Sequence, residues 1–325
     1  MLLRCLRFSL IGLSAACAIV SGAAAHAQDF PSRTVKIVAP YPPGGATDLT
    51  ARLFAEGFRR AWDQPVVVEN RPGASGIVGA EVVSKSPADG YTILLGSSSL
   101  HSVLPILDER MGQIQKALTP IGLIGFSPSY VVVPASLPPN TIAELIAYLK
   151  ANPGKPYGSA GSGTSQHIFA EQFKLSTGVE TFHVPYKGSG PMVTDLLAGR
   201  VILAVEQGPA TMAHVKSGRL KALAVASLKR SSALPDVPTL NETVLPGFET
   251  TTWLCMYAPA GSPRQAIAKI SAEMAKIIAN PEFREKLVAA GIEPESSTPE
   301  ALAAREQADT EKYARLIKAA NIRLQ

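Results

Sequence analysis

Thr34-Val35-Lys36-Ile37-Val38-Ala39-Pro40 runs directly into Tyr41-Pro42-Pro43-Gly44-Gly45-Ala46-Thr47-Asp48. The first part is apolar and β-branched, and reads as a buried strand that stops at its proline. The second part is a turn-rich loop. Leu49, Leu53, Phe54 and Phe58 then recur at helical spacing through about Trp62. Strand, loop and helix in that order form the unit from which mainly parallel sheets with helices on both faces are built.

The unit recurs along the chain. Val66 to Glu69 is a strand, Asn70-Arg71-Pro72-Gly73-Ala74-Ser75-Gly76 a loop, and a helix follows to Lys85. Tyr91 to Gly96 is a third strand entering Ser97-Ser98-Ser99. Beyond the strand Tyr130 to Val133, Thr141-Ile142-Ala143-Glu144 is a capping box that opens a helix to Lys150. Tyr157-Gly158-Ser159 leads through Ala160-Gly161-Ser162-Gly163-Thr164 into a helix over about 165–176. Strands near Thr181–Val184, Val201–Val205 and Leu223–Ala226 alternate with helices near Pro191–Ala198 and Pro209–Ser217. After Ser262-Pro263-Arg264-Gln265 the chain reads as mostly helical, with Thr298-Pro299-Glu300 opening a last helix. The expected fold class is α/β in two lobes, each a mainly parallel sheet flanked by helices. Lobe 1 takes residues 28–125 plus 250–325, and lobe 2 takes 126–249.

Residues 1–27 carry a different message. Arg4 and Arg7 precede an uncharged apolar run from Phe8 to Val20, and small residues end in Ala25-His26-Ala27. A basic start, a short apolar core and an A-x-A end describe a cleaved secretory signal peptide. The run falls short of the ~20 residues that a membrane span needs. Ser14-Ala15-Ala16-Cys17 loosely suits a lipid-attachment site, although a branched apolar residue is usual where Ser14 stands. Cleavage after Ala27 predicts a periplasmic mature chain. It removes Cys5 and Cys17 and leaves Cys255 alone, so neither an internal disulfide nor a cysteine metal cluster is expected. The mature chain holds 29 basic against 26 acidic residues. That balance gives no basic stripe for a phosphate backbone, and no nucleic-acid partner is expected.

Ligands of open α/β sheets bind at the carboxyl ends of strands. The first such loop offers Tyr41, Gly44, Gly45, Thr47 and Asp48, and the third offers Ser97 and Ser98 beside Ser99. In the second lobe one loop offers Ser159, Gly161, Ser162, Gly163 and Thr164 before Ser165. Another offers Tyr186 ahead of Lys187-Gly188-Ser189. Glycine lets backbone N–H groups approach a ligand, and the helix start that follows adds unpaired N–H groups and partial positive charge. Such loops make an anion site without an arginine. Two facing each other across a cleft would suit the two ends of a diacid. His167, just inside a helix, and Glu206, at a strand end, join the candidate set.

Motifs for chemistry are missing. Tyr157 and Ala160 stand where a hydrolase elbow around Ser159 or Ser162 would need glycine. There is no P-loop, no dinucleotide fingerprint after Gly161-Ser162-Gly163, and no H-E-x-x-H. His101, His167, His183 and His214 lack metal-ligand spacing. No catalytic residue, cofactor or metal is expected. A periplasmic hydrolase using a loop serine is the enzyme alternative, and it lacks a visible activating base.

The sequence resembles the periplasmic receptors of tripartite tricarboxylate transporters, the Bug or TctC family. Tyr41 to Asp48 carries the strongest likeness, followed in order by Asn70 to Gly76, Ala88-Asp89-Gly90-Tyr91, Tyr157 to His167 and Pro185-Tyr186-Lys187-Gly188. Asp195 to Gly199, Leu220 to Ser227, Pro235 to Thr239 and Ala258 to Gly261 extend it over the mature chain. The resemblance implies a two-lobe Venus-flytrap periplasmic binding protein that closes by hinge motion. It implies a small mono- or dicarboxylate ligand, aromatic or amino acids included, held by backbone amides and waters. Delivery to the membrane subunits of such a transporter is also implied, and the chain is expected to act as a monomer. Serines at 98 and 99, where asparagine or threonine is common in the family, and Glu206, where aspartate is, fall near the expected ligand. The class of ligand therefore transfers and its identity does not. A ligand-presenting sensor shares this fold and site, and genomic neighbours would separate the two.

Overall fold

Branched apolar side chains from two strands start the first lobe. In the computed structural model, which describes residues 30–319, these are β1 (Val35–Ala39) and β2 (Val66–Asn70), joined by helix α1 (Ala46–Trp62). The expected signal peptide lies outside the described residues. α2 (Ile77–Ser84) leads to β3 (Thr92–Ser97), and β2, β1 and β3 pair in parallel. Phe54 and Phe58 of α1 are fully buried against the sheet together with Ile37 and Ile93.

A π-helical turn over Ser99–Val103 and α3 (Glu109–Lys116) precede the strand that organises the molecule. This is β4, seventeen residues from Leu118 to Pro134. Its first part, Leu118–Pro128, pairs antiparallel with β9 (Thr251–Pro259), and its second part, Ser129–Pro134, belongs to the other sheet. Register shifts at Pro120/Gly122 and Leu123/Gly125 bend it on the way. At Gly125 a side chain would strike the carbonyl of Glu293, so the strand β10 (Glu293–Pro294) can pair there only against glycine.

The second lobe repeats the parallel plan. α4 (Ile142–Ala151), β5 (Lys155–Ser159), α5 (Ser165–Thr177), β6 (Thr181–Pro185), α6 (Ser189–Leu197), β7 (Leu203–Gln207), α7 (Gly208–Lys216) and β8 (Leu220–Val225) follow. β7, β5 and β6 are parallel, whereas β4 runs antiparallel between β7 and β8. Each lobe thus has the parallel block that the strand–loop–helix alternation predicts, extended by the long strands β4 and β9. The sequence reading placed only Tyr130–Val133 of β4 in a strand and none of β9. Both are buried on two faces, so they show no period-two alternation.

α8 (Arg264–Ala279) and α9 (Pro281–Ala289) cover the first lobe. The last helix, α10 (Pro299–Ala319), runs along both lobes. Leu302 near its start packs with Trp253 and Tyr257, while Tyr313 and Ile317 near its end join the second-lobe core of Tyr157, Phe169 and Phe173. Trp253 Nε1 donates to Asp309 Oδ2 at 2.6 Å, which ties β9 to this strap. Among the described residues no helix is long and apolar enough to cross a membrane.

If α10 fastens the lobes as this packing shows, Tyr313→Ala opens a cavity in lobe 2 and should cost about 3 kcal/mol, the usual scale for a buried aromatic. Urea unfolding of the variant measures the loss. A loss below the error of the fit would mean that the helix end is not part of that core.

Candidate functional site

Four helices begin around one cavity between the lobes. Gly45, Ala46 and Thr47 come from the start of α1, Ser165 and Gln166 from α5, Ser189 from α6, and Gln207 precedes α7. Tyr41, Ser97, Ser99, Ala160 and Leu254 complete the wall. None of these four helices has a side-chain cap. Away from the cavity, Asp108, Thr141 and Asn280 do cap the helices they start. Apart from Ser165 N, which donates to Ser99 Oγ from the other lobe, the first-turn N–H groups at the cavity are therefore left without side-chain acceptors among the described residues, and all four helix dipoles present partial positive charge. Among the described residues no charged side chain lines this cavity.

The candidate residues of the first loop divide by role. Tyr41, Gly45 and Thr47 line the cavity, while Gly44 is exposed and turns outward at φ +90°. Asp48 is buried and faces its own loop. It accepts from Gly44 N at 3.0 Å, Asn70 Nδ2 at 2.9 Å and Arg52 Nε at 3.1 Å. Burial pushes its carboxyl up, but the bonds from Arg52, Gly44 and Asn70 outweigh this and hold it below the usual carboxylate range. Asn70 also donates to Tyr41 O, so Asp48 and Asn70 together fix the loop that presents Gly45. Burial pushes the Tyr41 hydroxyl up to about 12, so it stays a donor, to Ser75 O at 2.8 Å. Ser97 lines the cavity, and Ser98 is buried beside Tyr313.

In lobe 2 the glycine-serine loop is bonded mostly to itself. Ser159 Oγ contacts both N and O of Gly161, each at 3.1 Å, and lies 2.6 Å from His183 Nε2. Thr164 Oγ1 donates to Gly161 O, and Gly163 N donates to His167 Nδ1. Gly161 has φ +137°, and a side chain there would crowd the carbonyl of Tyr186. His167 stacks on His183 with ring centres 4.0 Å apart. Burial, reinforced by this neighbour, drives His183 down to about 3, and burial lowers His167. Tyr186 donates to Asp195, and Ser162 offers its carbonyl to Ser75 of the other lobe. These candidates shape the loop; the cavity wall itself is Ala160, Ser165 and Gln166.

The residues absent from the sequence-derived set are Ala46, Ser99, Ala160, Ser165, Gln166, Ser189, Gln207 and Leu254. Ser99, Ser165 and Ser189 stand in loops that the sequence singles out. Gln166 and Gln207 do not, and they organise the floor. Gln166 Nε2 donates to Glu206 Oε1 at 2.9 Å and to Gln207 Oε1 at 3.1 Å. Gln207 Nε2 donates to Ser165 Oγ and Thr252 Oγ1 at 3.0 and 2.9 Å. Glu206 is buried next to the wall residues and not part of the wall.

The lobes meet across the cavity. Ser75 Oγ donates to Ser162 O at 2.8 Å, and Ser165 N donates to Ser99 Oγ at 3.1 Å. Gly188 sits against Pro42, and Gly190 against the carbonyl of Pro43, with no room to spare for a side chain.

Comparison with known proteins agrees with this fold. Residues 50–322 match the family described as the tripartite tricarboxylate transporter family receptor. A structure of Rpa4515 of R. palustris with adipate superposes with a TM-score of 0.89 at 35% identity, covering 91% of this chain and 100% of that one. The periplasmic binding protein BugD gives 0.86 at 36%, again over 91% and 100%. MatC (Rpa3494) of Rhodopseudomonas palustris with bound malate gives 0.81 at 27%, over 89% and 100%. The chain belongs to the receptor family of the tripartite tricarboxylate transporters, the Bug/TctC solute-binding proteins.

Proposed function

We propose that this protein is a periplasmic receptor that captures a small carboxylate between its lobes and passes it, unaltered, to the membrane subunits of a tripartite tricarboxylate-type transporter. The observation that carries the reading is the convergence of four uncapped helix starts on a cavity without a charged side chain. An anion entering there finds backbone N–H donors and helix dipoles from both lobes. Serine and tyrosine hydroxyls add donors at fixed positions. Relatives of the same fold hold adipate and malate, both of them dicarboxylates.

The arrangement argues against hydrolysis. Ser159 and His183 resemble a nucleophile and its base, but Ser159 is fully buried and does not line the cavity. Nδ1 of His183 has no partner among the described residues, so no carboxylate orients the ring. A monomer suffices for the reading, because both walls of the cavity come from one chain.

A carboxylate panel including adipate and malate, run as a thermal shift, tests capture. A ligand at about 100 times its Kd adds about 2.7 kcal/mol, on the order of 5 °C for a chain of this size. A panel in which no acid raises the midpoint would sink the reading.

Closure generates a separate test. Gly190→Ala places a methyl about 3.1 Å from the Pro43 carbonyl across the cleft, while its helical backbone suits alanine. The unliganded protein should melt at the same temperature or higher. Affinity for whichever acid binds should fall about tenfold, equivalent to ~1.4 kcal/mol. Equal affinity in calorimetry would show that the Pro43–Gly190 contact is not part of the bound state.

A further inference from the structure

Glu206 is the one acid whose surroundings the capture reading leaves unexplained. It is the last residue but one of β7, next to Gln207, and is fully buried. Oε1 accepts from Gln166 Nε2 at 2.9 Å and from Gln207 N at 2.8 Å. Oε2 is buried and has no hydrogen-bond partner. The hydroxyl of Ser189, which lines the cavity, lies close enough to act on this carboxyl. Among the described residues Glu206 forms no ion pair.

The ionisable groups on the surrounding elements face elsewhere. Tyr130, its cross-strand neighbour on β4, points to Ser231 and through it to Glu293. His167 of α5 is stacked on His183, and Asp195 of α6 is engaged by Tyr186 and Arg200. Asp48 of α1 is held by Arg52 and Asn70, and His214 of α7 lies under the influence of Arg219. An ionised Glu206 would leave one carboxylate oxygen buried with neither a donor nor a cation. That is the arrangement folded proteins avoid by protonating the group.

We propose that Glu206 is a neutral carboxylic acid in the closed protein, with its proton on Oε2, and that closure over an anionic ligand takes one proton up from solvent. This rests on the reading of the cavity as an anion site. Glu206 is then a positioning residue that acts through Ser189. Protonated, it no longer draws the serine O–H, which is left for the ligand. Ionised, it would draw that O–H back and set a negative charge beside the captured anion. Burial already raises the carboxyl above its usual range, and a bound anion raises it further. The sign follows from linkage. Affinity is fullest at pH values below the open-state pKa and falls as pH rises through the bound-state pKa.

The test is calorimetry of adipate and malate from about pH 6.5 to 8.5, above most of the titration of free carboxylic acids. It is run in two buffers of different ionisation enthalpy. Wild type should take up a fraction of one proton on binding and weaken by up to about tenfold per pH unit, the limit for one linked proton. Glu206→Gln keeps the acceptor and replaces the O–H by N–H. It should take up no proton, lose the pH dependence and bind more tightly than wild type at the alkaline end. Binding by wild type without proton uptake overturns the proposal and leaves capture standing. So does a folded Glu206→Gln protein that no longer binds. If neither acid binds, the anion-site reading and this proposal fall together; if the variant does not fold, carbon-13 spectra of glutamate-labelled Glu306→Gln protein saturated with adipate or malate decide. That background removes the other glutamate of raised pKa, the half-buried Glu306. One carboxyl still protonated at neutral pH is expected, and all glutamates ionised overturns the proposal.

Discussion

Backbone N–H groups at the first turn of a helix have no partner inside the helix. Here four sets of them meet between two lobes, none of the four N-cap residues caps its own helix, and the one side chain that takes a first-turn donor is Ser99, from across the cavity. Everything else in the site follows from keeping those donors free and in place. Asp48 holds Gly44 and Asn70 so that Gly45 opens α1 at the wall. Ser159 and Thr164 tie the loop before α5 to Gly161 and thereby present Ser165 and Gln166. The polar side chains that look most like ligand contacts spend their bonds on the loops. A donor aimed by a rigid loop loses less freedom on binding than a long cationic side chain would.

The two walls come from different sheets, so their spacing depends on what joins the sheets. β4 belongs to both, and β9 enters the first beside it. α10 adds a third link by burying Leu302 in one core and Tyr313 in the other. A strand can bend at its irregular points, Pro120/Gly122 and Leu123/Gly125, without losing its ladder. The contacts of Ser75 with Ser162 and of Ser99 with Ser165 join the two walls across the cavity.

Much of this was legible in the sequence, for reasons that also explain the rest. The parallel blocks showed themselves because strand, turn-rich loop and helix differ in composition, as at Val35 to Phe58. The loops of the site were legible because glycine and serine cluster where a backbone must approach a ligand. β9 was not, because Trp253 to Tyr257 is apolar on both faces and carries no period. Gln166 and Gln207 escaped for another reason. A glutamine in or just before the first turn of a helix looks like a solvated residue, and only the meeting of α5 with α7 buries it. Asp48 and Thr164 were found by position, while their hydrogen bonds point into the loops.

A cavity whose positive potential comes from dipoles alone has no cation to balance a buried carboxylate. An arginine there would have paired with Glu206 and fixed it as an anion. Instead the acid lies among Gln166, Gln207 and Ser189, which are all neutral. Amide and hydroxyl groups can serve as donors toward a ligand only while the acid behind them does not compete for their protons. The charge-free lining and the unpartnered Oε2 are thus one design constraint seen from two sides. A site that binds an anion with neutral donors must keep its own nearest acid neutral too.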